Sequence, residues 1–209
     1  MPLRLLLSFL LVAIISACGS RNKEPGIIES LSKVKEYAEN IEEKTKNATS
    51  RWEERKAKGD TIAIPYKDLQ AYLPAIGGYE MPEGPKGSQM NTPGLGNWSQ
   101  TEQQYTSGEK RVGVSIMDYN GAEQTFMGLT AMYGMGMSME DDDKKMGPAD
   151  LGIKGVSAYE TIYKKDKRAE LSLVVGDRFI INMSSNGDND PGFLSGIAKD
   201  MDLGKLAEK

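Results

Sequence analysis

Apolar and polar positions follow three rhythms along this chain, and each predicts a different element. The first is an almost unbroken apolar run, Leu5 to Ile15, preceded by Arg4 and interrupted only by Ser8. Small residues Ser16 and Ala17 follow, then Cys18. A short positive start, an apolar run and small residues make the build of a secretory leader, and the run is too short to span a bilayer as a mature helix. A polar tether with Pro and Gly, Gly19 to Gly26, comes next.

The second rhythm is helical. Ile27, Leu31, Val34, Ala38, Ile41, Thr45, Ala48 and Trp52 are spaced alternately four and three apart, a heptad seam. Glu29 and Lys33, Glu42 and Lys46, and Glu54 and Lys58 stand at the favourable i,i+4 orientation. Arg55, Lys56 and Lys58 suit the negative C-terminal end of a helix, and Gly59 suits the position just past it. The pattern predicts a helix over 27–58, about 48 Å long at 1.5 Å per residue. Its seam docks on the chain's own domain, pairs with another chain as a coiled coil, or belongs to a free stalk. Ala38, Thr45 and Ala48 thin it, which favours self-docking over a homo-oligomer.

The third rhythm is strand alternation, set in a domain over 60–209. Tyr66 to Leu73, framed by Pro65 and Pro74, reads as a short helix. Gly and Pro break any period between Ile76 and Asn97, which reads as loop. Val112, Val114 and Ile116 alternate with Gly113, Ser115 and Met117, and a turn at Ser107 to Glu109 pairs this strand with the stretch before it. A helix is predicted from Ala122 to about Met137, a charged loop over Glu140 to Lys145, and a strand over Val156 to Tyr163. Gly176-Asp177 reads as a two-residue hairpin turn joining Ala169–Val175 to Arg178–Met183. That register puts Leu171, Leu173, Val175 and Ile180 on one face and Val174, Phe179, Ile181 and Met183 on the other. Both faces then need cover, and the second is the expected dock for the seam. Asp190-Pro191 opens a last helix to about Met201.

Composition narrows the chemistry. Removing 17 residues from 209 leaves 192, room for one domain and an extension. The leader holds one Arg and no acid, so the remainder carries 25 basic against 30 acidic residues, which gives no electrostatic case for nucleic acid. Cys18 is the only cysteine, so no intramolecular disulfide forms. There is no histidine, which removes the commonest general base and transition-metal ligand.

Ile15-Ser16-Ala17-Cys18 resembles the lipobox of bacterial lipoproteins. That resemblance implies cleavage before Cys18 and acylation of its thiol, and two or more acyl chains hold a protein stably on a membrane. The segments GDTIAIPYKDLQAYLP, VSIMDYNG, KKDKRAELSLVVGDRFIINMSS and IAKDMDLGKL look like those of envelope lipoproteins from Bacteroidota-type bacteria. No catalytic signature belongs to this resemblance, so only the lipidation site Cys18 carries over. In lipoprotein sorting, Asp after the cysteine signals inner-membrane retention. Gly19 here implies the outer membrane, facing the periplasm. Only Glu24 is acidic before Glu29, which speaks against an acidic surface-export tag.

Candidate chemistry is sparse. Met132, Met135, Met137 and Met139 crowd one stretch, and thioethers suit Cu(I), but Met also fills gaps where a helix end packs on a sheet. Packing is the preferred reading. Asp141 to Asp143 and Asp188-Asn189-Asp190 lack EF-hand spacing and read as solvated loops and a helix cap. Ser30 to Lys33 matches SxxK by chance on a charged helix. Trp98, Tyr105 and Tyr119 read as core before binding surface.

The sequence therefore predicts an α+β fold: an antiparallel sheet of five to seven strands with helices mainly on one face, preceded by a long N-terminal helix. The boundaries are a signal peptide over 1–17, a lipidated tether over 18–26, the helix over 27–58 and the domain over 60–209. The expected function is a non-catalytic lipoprotein without cofactor, anchored through membrane lipid and binding another envelope protein or component. The alternatives are a periplasmic copper binder using the Met segment, and a hydrolase with an unrecognised carboxylate site.

Overall fold

The computed structural model describes Lys35, Glu39, Glu42 and residues 46–92, 96–134 and 136–209, with only the backbone of Met132. The chain divides into two units, 1–38 and 39–209, and the elements named below all belong to the second. Helix α1 covers residues 46–57. Helix α2 (Tyr66–Leu69) runs into a 3-10 turn (Gln70–Tyr72). Strands β1 (Lys86–Thr92), β2 (Gly96–Ser107) and β3 (Lys110–Asp118) follow, then helix α3 (Glu123–Gly134). Strands β4 (Met139–Glu140), β5 (Lys144–Ala149), β6 (Val156–Tyr163), β7 (Arg168–Val175) and β8 (Phe179–Asn186) lead to helices α4 (Pro191–Asp200) and α5 (Leu203–Ala207).

All eight strands among the described residues form one antiparallel sheet in the order β1-β2-β3-β8-β7-β6-β5-β4. Two meanders, β1 to β3 and β4 to β8, meet where β3 pairs with β8, with Ile116 opposite Ile181. Helix α3 is the one long link between the meanders, so it must cross a sheet face to reach the far edge.

This overturns the expected fold class. The sheet has eight strands, the helices are short, and they cover both faces. The predicted helix over 27–58 is described only at Lys35, Glu39, Glu42 and 46–57, and the rest of it lies outside the described residues. Its stop is clear: the Asp60 N–H donates to the Arg55 carbonyl at 2.9 Å and the Gly59 N–H to the Lys56 carbonyl at 3.0 Å. Gly59 has φ +76°, the left-handed conformation such a terminus requires.

The strands missed by sequence reading have physical reasons. β1 is an edge strand exposed along nearly its whole length, so it carries no apolar alternation. β5 contains Gly147 and Pro148, which read as loop signals. The β7–β8 turn is three residues, 176–178, and Val175 pairs with Phe179. That one-residue slip redistributes the faces. Leu171, Leu173, Val175, Phe179, Ile181 and Met183 all share one face, buried beneath Leu69, Leu194, Ile197, Leu203 and Leu206. Ile180, with Val174 packed beside it, lies on the other face under Trp52, Tyr119, Ala122 and Phe126. Of the expected dock for α1, Val174, Phe179, Ile181 and Met183, only Val174 lies on this face, and Ile180 takes the place of the other three. The remaining seam residues Ile27, Leu31, Val34, Ala38, Ile41 and Thr45 lie outside the described residues.

Tyr105 closes the main core and donates its hydroxyl hydrogen to the Pro74 carbonyl at 2.6 Å. Burial pushes its ionisation from 10.0 up to about 12. A raised folded value means the contribution is intact below pH 10 and is lost as pH rises through about 12. Urea midpoints should therefore fall over that window, and Tyr105→Phe should flatten the slope. An identical slope in the variant would show that another group drives the alkaline transition.

Candidate functional site

Polar groups gather where the end of the sheet meets the segment between α1 and α2. Asp118, the last residue of β3, is fully buried, and Arg178 of the β7–β8 turn is nearly so. Arg178 Nε and Nη2 donate to Asp118 Oδ1 and Oδ2, each at 2.8 Å, a bidentate fork. The backbone N–H of Asn120 and of Ile64 supply the remaining donors to this carboxylate, at 2.9 and 2.7 Å. Arg178 Nη1 also reaches Asp60 Oδ2 at 3.1 Å. Asn120 Nδ2 donates to Asp60 Oδ1 at 2.7 Å, and Arg55 Nε donates to Asn120 Oδ1 at 3.0 Å.

The same logic fixes residues 61–64 as a strap across β2 and β3. Asn97 Oδ1 accepts from the Ala63 N–H at 2.6 Å, Asn97 Nδ2 donates to the Thr61 carbonyl at 3.0 Å, and Ser99 Oγ donates to the Ile64 carbonyl at 2.5 Å. Next to the strap, β2 approaches the segment after β3 so closely that a Cβ on Gly96, at φ +96°, would lie 1.8 Å from the Gly121 carbonyl oxygen. Each buried charge is thereby paired and hydrogen-bonded, as burial demands.

Beside this network opens a cleft of about 470 Å³. Its walls are the last turn of α1, the loop before β6, the β7–β8 turn and the segment 204–209. Arg51, Arg55, Lys58, Lys154, Arg178 and Lys209 line it against Glu54, Asp177 and Glu208. Arg51 Nη1 lies 3.2 Å from Asp177 Oδ2, yet that buried oxygen accepts no hydrogen bond among the described residues. The distance makes an ion pair, while the alignment fails the tighter demand of a hydrogen bond. Arg55 stacks 4.7 Å from the Trp52 ring centroid. Burial first, then repulsion from Arg178, lowers the Arg55 pKa, and Asp177, Asp60 and Asp118 oppose the shift.

A second, shallower concavity of about 350 Å³ lies on a polar half of the sheet that no described helix covers, among Glu102, Gln104, Ser115, Glu170 and Asn182. Gly113 sits at its floor, where a Cβ would lie 2.9 Å from Gln104 Nε2.

The residues singled out by sequence do not converge here. Cys18 and Met135 lie outside the described residues, as does Ser30 to Lys33. Met137 and Met139 are 52% and 43% exposed, which corrects their expected packing on the sheet. Met139 lies in β4 opposite Met146, and Tyr159 donates its hydroxyl hydrogen to the Met137 carbonyl at 2.7 Å. Tyr105 is in the main core, while Tyr119 and Trp98 belong to the second cluster, so the three share no surface. Asp141 Oδ1 accepts from the N–H groups of Asp143 and Lys144, each at 2.8 Å, and Asp190 caps α4. Among the described residues no three His, Cys, Asp or Glu side chains are placed to hold a metal ion.

Sequence reading missed Arg178, Asp118 and Asp60 altogether. The available signal was a charge at the end of an otherwise apolar alternation, at Asp118 after Ile116 and at Arg178 before Phe179. Neither marks its partner, 60 residues away. No family model, no curated protein and no solved structure matches the chain.

Proposed function

We propose that the chain is a lipoprotein of the bacterial outer membrane, anchored through acylated Cys18 on the periplasmic side, that binds another envelope component without transforming it. The leader ending in Ser16-Ala17-Cys18 supports the placement. Among the described residues no helix is long and apolar enough to cross a membrane, so the lipid is the anchor this reading relies on.

One observation carries the binding half. The larger cleft presents charge from four stretches of chain, and the carboxylates of the network beside it are already committed. Asp118 accepts four hydrogen bonds, and Asp60 is held by Arg178 and Asn120. Six basic side chains facing three acidic ones across the cleft favour holding a charged ligand.

Replacing Cys18 by Ser should move the protein out of the membrane fraction or leave it unprocessed. Sedimentation of native cells, with mass analysis of the N-terminus, checks this. Native protein in the soluble fraction, starting at another residue, would end the reading. Crosslinking in intact cells tests the binding half: Lys58→Glu with Lys154→Glu should abolish an envelope adduct that the unaltered chain forms.

A further inference from the structure

The cleft holds more donors than acceptors. Lys58 and Lys154 are exposed at its rim, and neither makes a side-chain hydrogen bond or ion pair within the described residues. Arg55 commits Nε to Asn120 and one Nη2 hydrogen to the Asp177 carbonyl, and lies half-buried beside Arg178, a like charge. An anion between these groups would relieve that repulsion and satisfy the spare guanidinium donors, and ammonium and guanidinium together match a phosphate. The volume lies within the range of small-molecule sites.

The acceptor side is the second, independent observation. Asp177 Oδ2 is buried in the cleft wall, 3.2 Å from Arg51 Nη1, and accepts no hydrogen bond among the described residues. The Asp177 side chain is still 22% exposed, so its carboxylate is an acceptor that a donor on a ligand can reach. The required ligand therefore carries a negative group and, next to it, an N–H or O–H.

We propose that this cleft binds a phosphate ester bearing an adjacent ammonium or hydroxyl group, with Lys58, Lys154 and Arg55 on the phosphate and Asp177 on the donor. This rests on the binding reading above and names its ligand class. Two sources supply that chemistry, an amino-phospholipid headgroup and a phosphorylated amino sugar. Three soluble probes separate them: inorganic phosphate, glycerophosphoethanolamine and glucosamine 6-phosphate.

Calorimetric titration of the full chain in neutral detergent should show one of the two esters binding roughly tenfold or more tightly than inorganic phosphate. The tighter ester identifies the source. Lys58→Ala with Lys154→Ala should weaken all three probes by roughly tenfold or more, and added salt should do the same. Asp177→Asn should remove the preference for the ester and leave phosphate binding in place. Both lysines are exposed, so their replacement leaves the fold intact, and a thermal melt of each variant verifies this. Equal affinity for all three probes, or affinities indifferent to these replacements, would overturn the proposal. If the probes fail while the Lys58→Glu, Lys154→Glu pair still abolishes the envelope adduct, only the ligand class falls. If both fail, the binding reading falls with it.

Discussion

Asp118→Ala is expected to destabilise the folded domain by about 3–5 kcal/mol, the usual cost of leaving a buried charge without its partner. The fully buried carboxylate faces a guanidinium whose side chain is 5% exposed. Truncation removes the bidentate partner of Arg178, leaving it Asp60 alone, and leaves the N–H groups of Ile64 and Asn120 without an acceptor. Asp60 cannot substitute, because its oxygens are already engaged by Arg178 Nη1 and Asn120 Nδ2. Against a total stability of about 5–15 kcal/mol for a domain, the loss would be a large fraction of the whole. Replacing Asp118 and Arg178 together by apolar residues should cost clearly less than Asp118→Ala alone, since no lone charge remains buried. Urea denaturation of the three proteins measures both effects. A loss below about 1 kcal/mol in the single variant would mean that solvent reaches Arg178 and that the network is not the clamp described.

Trp52→Ala should cost about 3–5 kcal/mol, as for other large aromatic side chains removed from a core. Trp52 is 1% exposed and supplies the cover over Ile180, Tyr119 and Phe126. Its indole N–H has no hydrogen-bond partner among the described residues, so Trp52→Phe loses volume but no bond and should be much milder. The contact is made within one chain, so the mass in solution should stay constant while the melting temperature falls. An unaltered melting temperature in Trp52→Ala would show that α1 contributes nothing to the domain. Conversion of a dimer to a monomer would return the seam to the coiled-coil reading.

Residues that bury one face of a strand were legible in advance. β3, β6 and β7 each stand within a residue or so of the expected position, because alternation is a local consequence of the pleat. The stop of α1 at Gly59 and the Asp190 cap of α4 were equally local. β1 was not legible, since an exposed edge strand needs no apolar pattern. The β7–β8 turn misled for a related reason. Arg178 looked like the first residue of a strand, but its side chain is drawn into a buried pair with Asp118, and the turn lengthens to keep it there.

The chain by itself determines the leader-like start, the absence of histidine, the single cysteine and the period of each long element, because these are properties of neighbouring residues. The number of strands, the sharing of cover between two sheet faces and the charged cleft were decided only by tertiary structure. The cleft draws on four stretches of chain, around residues 51–58, 153–155, 176–178 and 204–209, and each alone reads as ordinary solvated surface. The deciding step is the pairing of β3 with β8, which carries Asp118 to Arg178 and thereby sets the hairpin register, the strap over 61–64 and the cleft wall together. No local propensity encodes that encounter. The apolar faces of the two strands bury each other's surroundings, and the two charges are tolerable in that dry interior only because they meet.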